Sequence, residues 1–484
     1  MDFKNTAISG VKWTTASTFI TALVAVLRLS VLARFLSKED FGVVAIITLV
    51  LGLTQTFADL GFSSAIMYRQ DLTRRDFSSL YWIQLIFFSV IYIAISLCSG
   101  VISVFYEAPS LTYLLPLALL DLIFYGIGRL YDTILQKEFQ FKVIAIRNIV
   151  CALVSLIVAI VLAVLGFGIY SLVLSTLFQT LVNNVWNALA GQKYCRIQCT
   201  ITLRSTMPLV RIGMYQTGTQ IVDNLSNRLD VLIIGKLLGI EMLGIYSLAK
   251  ELVMRVVYLV NTIANRVTLP YFSKMQHDDA GLRRNYCRVI QILSSVNSPI
   301  SLLICLLSNS LVYIFYGYKY LEAAPLISIL SIWSLFICIG NPVGNIVIAK
   351  GRTDLSLKYV ILRVLLTVPV IGITSLCSLT YVAWGQVVMA VILFLLAYRM
   401  MIYKLIRLPF LEYIRSFYHT GLIFLVVCAC LYFPIHSNVV GIESPLIQLL
   451  VYSTISVVFY FTLLLIFFKS RTLNMIKHLK SCRN

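Results

Sequence analysis

The sequence predicts an all-α membrane protein with about 14 transmembrane helices. Of its 484 residues, 60% are hydrophobic and only 12% are charged, whereas a soluble domain carries about 25% charged residues. Apolar runs long enough to cross a bilayer as a helix, about 20 residues, recur from end to end. The net charge of +19 does not indicate a nucleic-acid partner, because the cations lie mostly in short loops between apolar segments.

Fourteen apolar segments meet this length, and the first is too long for a cleaved signal peptide. We predict spans at 10–36, 40–66, 79–105, 111–135, 143–166, 168–192, 208–238, 242–270, 289–316, 322–349, 355–380, 381–403, 417–435 and 445–468. The first twelve spans divide into an N-terminal six-helix bundle, 1–200, and a second six-helix bundle, 201–405. Two further helices and a basic tail then occupy 406–484.

The distribution of Lys and Arg predicts the orientation of these spans. Among the odd-numbered connections the basic residues are few: Arg34, Lys38, Lys236 and Lys319. The termini and even-numbered connections carry most of the others, and cations are retained on the cytoplasmic side of a membrane. We therefore expect both termini in the cytoplasm and short loops outside, with no room for an external catalytic domain.

An internal repeat links the first pair of spans to the seventh and eighth. The segment ARFLSKEDFGVVAI at 33–46 resembles GKLLGIEMLGIYSL at 235–248. Residues match at an offset of 202: Leu36 with Leu238, Glu39 with Glu241, and Gly42 with Gly244. Because six spans separate the copies, both have the same orientation. This predicts two bundles related by a pseudo-two-fold axis along the membrane normal, with a substrate site between them.

Polar side chains follow one face of the first, second, seventh and eighth spans. A charge at mid-membrane costs about 2.5–3.5 kcal/mol, so we expect these faces to enclose a polar cavity. The alternative is structural pairing, of Glu251 with Arg255 four residues away, or of the charges on the fourth span with another helix. The fourth-span charges are Asp121, Arg129 and Asp132.

The types of side chain suggest distinct roles in that cavity. Guanidinium and ammonium groups bind phosphate, so the predicted anion-binding residues are Arg28, Arg228, Lys250 and Arg255. Neutral polar contacts to the substrate are predicted for Gln216, Gln220 and Asn227. The candidates for ion coupling or gating are Asp59, Asp223, Asp230, Glu251 and Arg266.

The sequence contains no pattern that indicates a cofactor. The 11 cysteines are scattered, and only four histidines are present, so no metal site is expected. A Walker A sequence is lacking as well, which argues against direct use of ATP. We therefore expect energy coupling, if any, to a proton or sodium gradient or to the membrane potential.

Several segments resemble the polysaccharide-transporter branch of the MOP flippase superfamily. They are FADLGFSSAIMYRQDLTRRDFSSLYWIQL at 57–85, ILQKEFQFKVIAIRN at 134–148, GFGIYSLV at 166–173 and IAKGRTDLSLKY at 348–359. The resemblance implies a flippase in the bacterial inner membrane that moves a polyprenyl-diphosphate-linked oligosaccharide outward for cell-surface polysaccharides such as O-antigen or exopolysaccharide. It also implies contact with membrane lipids, and with a polysaccharide polymerase and glycosyltransferases as partners. The related lipid II flippases use arginines on their first and eighth helices, where Arg28 and Arg255 lie here.

Two other functions remain as alternatives at this point. One is a multidrug or cation antiporter of the same superfamily, although that branch commonly carries an aspartate on its first helix and this chain has no acid between Asp2 and Glu39. The other is a membrane enzyme such as a polysaccharide polymerase or ligase. The short external loops offer few acids or bases for such chemistry, so we do not expect an enzyme.

Overall fold

The computed structural model describes residues 3–59, 61–68, 73–198, 203–436 and 444–481. These residues form helices joined by short connections, with no strand among them. By their internal contacts they fall into two compact units, Met1–Ser247 (unit 1) and Leu248–Asn484 (unit 2). The predicted border between the two six-helix bundles, at 200 and 201, lies outside the described residues and stays a prediction.

Unit 1 contains nine helices and the start of a tenth, which continues into unit 2. They are α1 (Phe3–Phe35), α2 (Lys38–Ala58), α3 (Phe62–Tyr68), α4 (Arg74–Leu97), α5 (Ser99–Phe105), α6 (Leu111–Lys137), α7 (Phe141–Val164), α8 (Tyr170–Gly191), α9 (Leu203–Leu237) and α10 (Ile240–Lys274). Within this unit, α1 packs along α7, and α6 packs along α8.

Unit 2 holds the remainder of α10 and ten further helices. They are α11 (Asp279–Leu306), α12 (Ser308–Tyr316), α13 (Ala323–Gly340), α14 (Pro342–Ala349), α15 (Thr353–Ser375), α16 (Leu379–Ala397), α17 (Tyr403–Ile406), α18 (Phe410–Arg415), α19 (Tyr418–His436) and α20 (Pro445–Ser481). A 3₁₀ turn at Tyr318–Tyr320 follows α12, and a π-helical turn at Tyr398–Ile402 follows α16.

Eleven helical segments among the described residues are long and apolar enough to cross a membrane, so the chain is a multi-pass membrane protein. The other three predicted spans coincide with α8, α9 and α10. These helices are long enough, but they are rich in amide, hydroxyl and charged side chains. The all-α, polytopic fold class is confirmed, while the count of 14 stays a prediction.

Four predicted spans are interrupted in the structure. In the first, α2 ends at Ala58 and α3 begins at Phe62; the others are at Cys98 between α4 and α5, at Leu307 between α11 and α12, and at Asn341 between α13 and α14. At the first of these, Gly61 has a φ of 67°, a conformation that favours glycine. The hydropathy pattern that predicts these spans does not reveal the breaks, because the sequence is apolar on both sides of them.

The two copies of the internal repeat contact each other within unit 1. A Cβ atom on Gly42 would collide with the backbone carbonyl oxygen of Ile240, and one on Gly244 would collide with that of Lys38. Lys38 and Gly42 each precede their counterparts, Ile240 and Gly244, by the repeat offset of 202. The contact is thus reciprocal, as in a two-fold interface, and the absence of side chains at both glycines permits it.

Hydroxyl and aromatic side chains hold the helices of unit 2 together. Ser301 of α11 and Ser334 of α13 lie 2.9 Å apart between their hydroxyl oxygens, and small residues of this kind let membrane helices approach closely. Nearer the loops, the ring of Tyr413 stacks on those of Phe394 and Tyr398 at 5.1 and 5.5 Å. Around Tyr413, buried side chains of α11, α13, α16 and α18 form one apolar core, with Tyr286, Ile339 and Phe394 among them.

Candidate functional site

A polar cavity of about 390 Å³ lies within unit 1 among α2, α6, α7 and α8. Its volume falls in the range of small-molecule sites, about 300–1,000 Å³. Three of its four helices, α2, α6 and α7, are among the segments long and apolar enough to cross a membrane. The lining residues are Gln55, Asp121, Tyr125, Arg129, Asp132, Arg147, Thr176, Gln179, Thr180, Asn183, Asn184 and Asn187.

Half of the lining comes from α8, and its sequence spacing explains why. Two adjoining rows at intervals of three or four residues face the cavity, Thr176–Thr180–Asn184 and Gln179–Asn183–Asn187, because such intervals place side chains on one side of a helix. Gly128 of α6 lets α8 approach closely, since a Cβ at this position would lie 2.5 Å from the Cα atom of Asn184.

A chain of ion pairs runs along the wall of the cavity. The Arg129 Nε donates to Asp59 Oδ1 at 3.2 Å, and its Nη1 lies 4.0 Å from Asp132 Oδ2. Arg147 Nη1 donates to Asp132 Oδ1 at 2.7 Å. We call these four residues, Asp59, Arg129, Asp132 and Arg147, the charge network. Each member has an oppositely charged neighbour, which offsets much of the cost of placing charges inside a membrane protein.

Asp59 is the member at the interruption between α2 and α3. Its carboxylate also accepts hydrogen bonds from the Ser63 hydroxyl at 2.8 Å and from the Gln84 amide at 3.3 Å. Through Arg129, a lining residue, Asp59 is joined to the cavity. These contacts show Asp59 holding α2, α3, α4 and α6 together, and its predicted role in coupling or gating stays a prediction.

Asp121 anchors the far side of the cavity. It is 3% exposed, and its Oδ2 accepts a hydrogen bond from the Gln55 amide at 2.7 Å. The lining thus contains two aspartates, Asp121 and Asp132, and two arginines, Arg129 and Arg147. Their formal charges balance, and the remaining lining side chains are amides, two hydroxyls and one phenol.

Arg28 of α1 borders the same cavity. Its guanidinium donates to the Ser155 hydroxyl at 2.8 Å, to the Thr176 hydroxyl at 3.2 Å and to the Gln179 amide oxygen at 3.4 Å. Thr176 and Gln179 are lining residues. The structure therefore brings the predicted anion-binding arginine of the first span to the edge of the observed cavity.

The predicted residues of the seventh span lie on α9. Arg228 Nη1 donates to the Thr48 carbonyl oxygen of α2 at 3.2 Å. The Asn227 amide donates to Asp223 at 3.3 Å, on a stretch where Gln220 and Asn227 are exposed. The buried carboxylate of Asp230 accepts a hydrogen bond from the Tyr246 hydroxyl at 2.6 Å. The side chain of Gln216 lies outside the described residues.

The predicted residues of the eighth span lie on the unit 2 portion of α10. Lys250 Nζ lies 5.9 Å from the ring centroid of Trp333. Glu251 and Arg255 form an ion pair, as in the structural alternative considered from the sequence. The side chain of Arg266 lies outside the described residues. Because the predicted cavity draws on both units, it stays a prediction, and the cavity observed in unit 1 shares with it only the neighbourhood of Arg28 and Asp59.

Sequence reasoning missed most of the observed cavity. Arg147 and the rows on α8 were not among the predicted site residues, although the three- and four-residue spacing of amides and hydroxyls on α8 was a readable signal. For the fourth-span charges Asp121, Arg129 and Asp132, pairing with another helix was the alternative to a role in a cavity. Arg129 and Asp132 do form ion pairs with residues outside α6, and both also line the cavity.

A polar cavity lined in part by membrane-spanning helices is typical of a transport protein. A family model described as "Polysaccharide biosynthesis protein" matches residues 31–325, which is more than half of the chain. The chain therefore belongs to this family of polysaccharide biosynthesis proteins, and the resemblance inferred from its sequence segments is confirmed.

Similar proteins occur in distant bacteria. The chain is 27% identical over 421 residues to the Lipopolysaccharide biosynthesis protein WzxC of Escherichia coli (strain K12), covering 86% of this chain and 85% of that one. It is also 27% identical to the Teichuronic acid biosynthesis protein TuaB of Bacillus subtilis (strain 168), covering 84% and 85%. Among solved structures, the Lipid II flippase MurJ in an inward closed conformation superposes with a TM-score of 0.77 at 15% identity, covering 96% and 100%. That identity establishes a shared fold only.

Proposed function

We propose that the protein is a flippase that moves a lipid-linked oligosaccharide across the bacterial inner membrane for the synthesis of a cell-surface polysaccharide. The observation that carries this proposal is family membership across residues 31–325 in a chain with a polar cavity inside its membrane helices. WzxC and TuaB are named for the biosynthesis of two chemically different polymers, which fits a shared transport step better than a shared enzymatic one.

In this proposal the substrate is a polyprenyl diphosphate that carries a sugar repeat unit. The diphosphate binds the predicted cations Arg28, Arg228, Lys250 and Arg255, and the lipid tail stays in the bilayer. The support for Arg28 is its position beside the cavity, where its guanidinium donates to three neutral oxygens. Phosphate oxygens are stronger acceptors for a guanidinium than these groups, so the substrate can replace them.

Transport proceeds by alternating access and involves no covalent chemistry. Coupling to a proton or sodium gradient, or to the membrane potential, is assigned to the carboxylates Asp59, Asp223, Asp230 and Glu251, with Arg266 as a gating residue. Both termini lie in the cytoplasm. The partners are glycosyltransferases on the inner side, which supply the substrate, and a polymerase on the outer side, which consumes it.

Replacing Arg28 tests the cationic site. In a strain that lacks the chromosomal gene, Arg28→Ala is expected to abolish surface polysaccharide while the protein stays at its normal level in the membrane. Arg28→Lys should retain part of the export, because an ammonium keeps the charge but not the two-pronged geometry. Arg352, which pairs with Asp354 on an exposed connection, provides the matched control, Arg352→Ala. Normal polymer display by Arg28→Ala would contradict the assignment.

A further inference from the structure

The cavity of unit 1 is chemically suited to a neutral, hydroxyl-rich ligand. Its two aspartates and two arginines balance in charge, so the lining favours neither an anion nor a cation. Five of its twelve side chains are amides, at Gln55, Gln179, Asn183, Asn184 and Asn187. Each amide offers both a donor and an acceptor, which matches vicinal sugar hydroxyls, since every hydroxyl can also donate and accept.

The wall of the cavity is held in place before any ligand enters. Arg147 is 5% exposed and Asn187 is 2% exposed, and Arg147 donates hydrogen bonds to Asp132, Asn148 and Asn187. Asp121 is fixed by Gln55. Polar groups whose positions are fixed by neighbours bind a ligand with little loss of side-chain entropy.

One lining amide is available to a ligand. Asn183 is partly exposed on the cavity side of α8 and, within the part of the chain that the structure describes, its side chain has no hydrogen-bond partner. Its neighbours in the same row, Gln179 and Asn187, accept hydrogen bonds from Arg28 and Arg147. Asn183 is therefore the lining residue whose replacement disturbs the protein least.

We propose that this cavity is a sugar-binding subsite, which holds part of the oligosaccharide while the diphosphate lies at the cationic residues. The inference rests on the proposed function and adds where the sugars bind. Arg28 connects the two sites, because it is a predicted phosphate ligand and also contacts the lining residues Thr176 and Gln179. The diphosphate and the first sugars are adjacent in the substrate, and Arg28 lies beside the cavity, so a diphosphate held by Arg28 leaves the first sugars next to the cavity.

The test compares two lipids on the purified protein in nanodiscs. The probes are undecaprenyl diphosphate carrying the repeat unit, extracted from the source strain, and undecaprenyl diphosphate alone. Asn183→Leu keeps the approximate volume but removes the hydrogen bonds, and we expect it to weaken binding of the sugar-bearing lipid about 5- to 10-fold. Asn183→Phe, which fills the cavity, is expected to remove the preference for that lipid. Binding of the bare lipid should not change in either variant.

A control variant on the same helix separates the effect of Asn183 from a general disturbance of α8, and the outcomes distinguish failure of the subsite from failure of the flippase proposal. Val185→Ala alters a 40% exposed residue of α8 and should leave both affinities unchanged. If Asn183→Leu leaves both affinities unchanged, or lowers both equally, the sugar subsite is overturned while the flippase proposal stands. If the wild-type protein binds neither lipid, the flippase proposal fails, and the subsite fails with it. Asn183→Leu alone decides the question if the phenylalanine variant does not fold.

Discussion

The guanidinium of Arg147 is buried in α7, the most apolar of the candidate membrane spans. The span Phe141–Val164 that contains it has a mean hydropathy of 2.6, and a lone buried charge costs several kcal/mol. The protein offsets this cost with one carboxylate, from Asp132, and two amides, from Asn148 and Asn187. Arg147 thus joins α6, α7 and α8 around the cavity.

Breaking this pair should destabilise the protein strongly. Removing one partner of a buried ion pair costs about 3–5 kcal/mol, so Arg147→Met is expected to lower the melting temperature of the purified protein clearly. The double variant Asp132→Asn/Arg147→Met should lose less than the sum of the two single variants, because neither charge is then left alone. Thermal unfolding in detergent gives the melting temperatures of Arg147→Met, Asp132→Asn and the double variant. The exposed pair of Arg352 and Asp354 supplies the comparison, and an Arg352→Met variant as unstable as Arg147→Met would contradict this account.

The contacts of Asp59 explain how its carboxylate is accommodated inside an apolar run. A carboxylate inside an apolar run predicts a polar environment, and the structure supplies one through Arg129, Ser63 and Gln84. The partner residues lie on other helices, and the sequence contains no signal that pairs Asp59 with Arg129 rather than with another cation. The polar environment of Asp59 was therefore predictable from the sequence, and the identity of its partner was not.

At the scale of helices, the reciprocal contact between the repeat copies depends on two glycines. Gly42 of α2 approaches Ile240, and Gly244 of α10 approaches Lys38, while Lys38 and Glu241 lie 3.6 Å apart as an ion pair. From the charge distribution, this end of unit 1 is predicted to face outward. The contact then joins the two repeats at the outer side of the membrane.

Alanine at either glycine should disrupt this contact. In both cases the new Cβ atom meets backbone rather than a movable side chain, and forced overpacking costs about 1–3 kcal/mol. We expect Gly42→Ala and Gly244→Ala each to lower the melting temperature. Gly100→Ala is the matched control, because Gly100 lies in helix α5 and its Cβ would have no neighbour within 4 Å. Equal stability of Gly42→Ala and Gly100→Ala would show that the close approach does not stabilise the protein.

The periodicity of the α8 sequence predicts some features of this helix and not others. Its rows of amides and hydroxyls at three- and four-residue intervals identify a polar face, but the helix or ligand opposite that face is not encoded locally. The interruptions at Cys98, Leu307 and Asn341 were invisible for a different reason, since they separate apolar segments that a hydropathy window joins. Hydropathy predicts which segments lie in the membrane and is insensitive to breaks within them.

For the whole molecule, composition and hydropathy were sufficient to predict the all-α membrane fold. The segments at 57–85, 134–148, 166–173 and 348–359 were sufficient to predict the family, which the match over residues 31–325 confirms. The cavity of unit 1 was not predicted, because it depends on the packing of α6 against α8 through Gly128. Contacts between distant helices are set by tertiary structure, and a single sequence reveals them poorly.

The sidedness of the lipid-linked repeat unit in living cells tests the central claim most directly. In cells that lack the protein, we expect the undecaprenyl-diphosphate-linked repeat unit to accumulate in the cytoplasmic leaflet, and in cells that contain it, to reach the outer leaflet. Accessibility to a membrane-impermeant sugar-modifying reagent, measured on intact and on lysed cells, distinguishes the two leaflets. A repeat unit that reaches the outer leaflet equally well without the protein, with other flippases deleted, would contradict the flippase function.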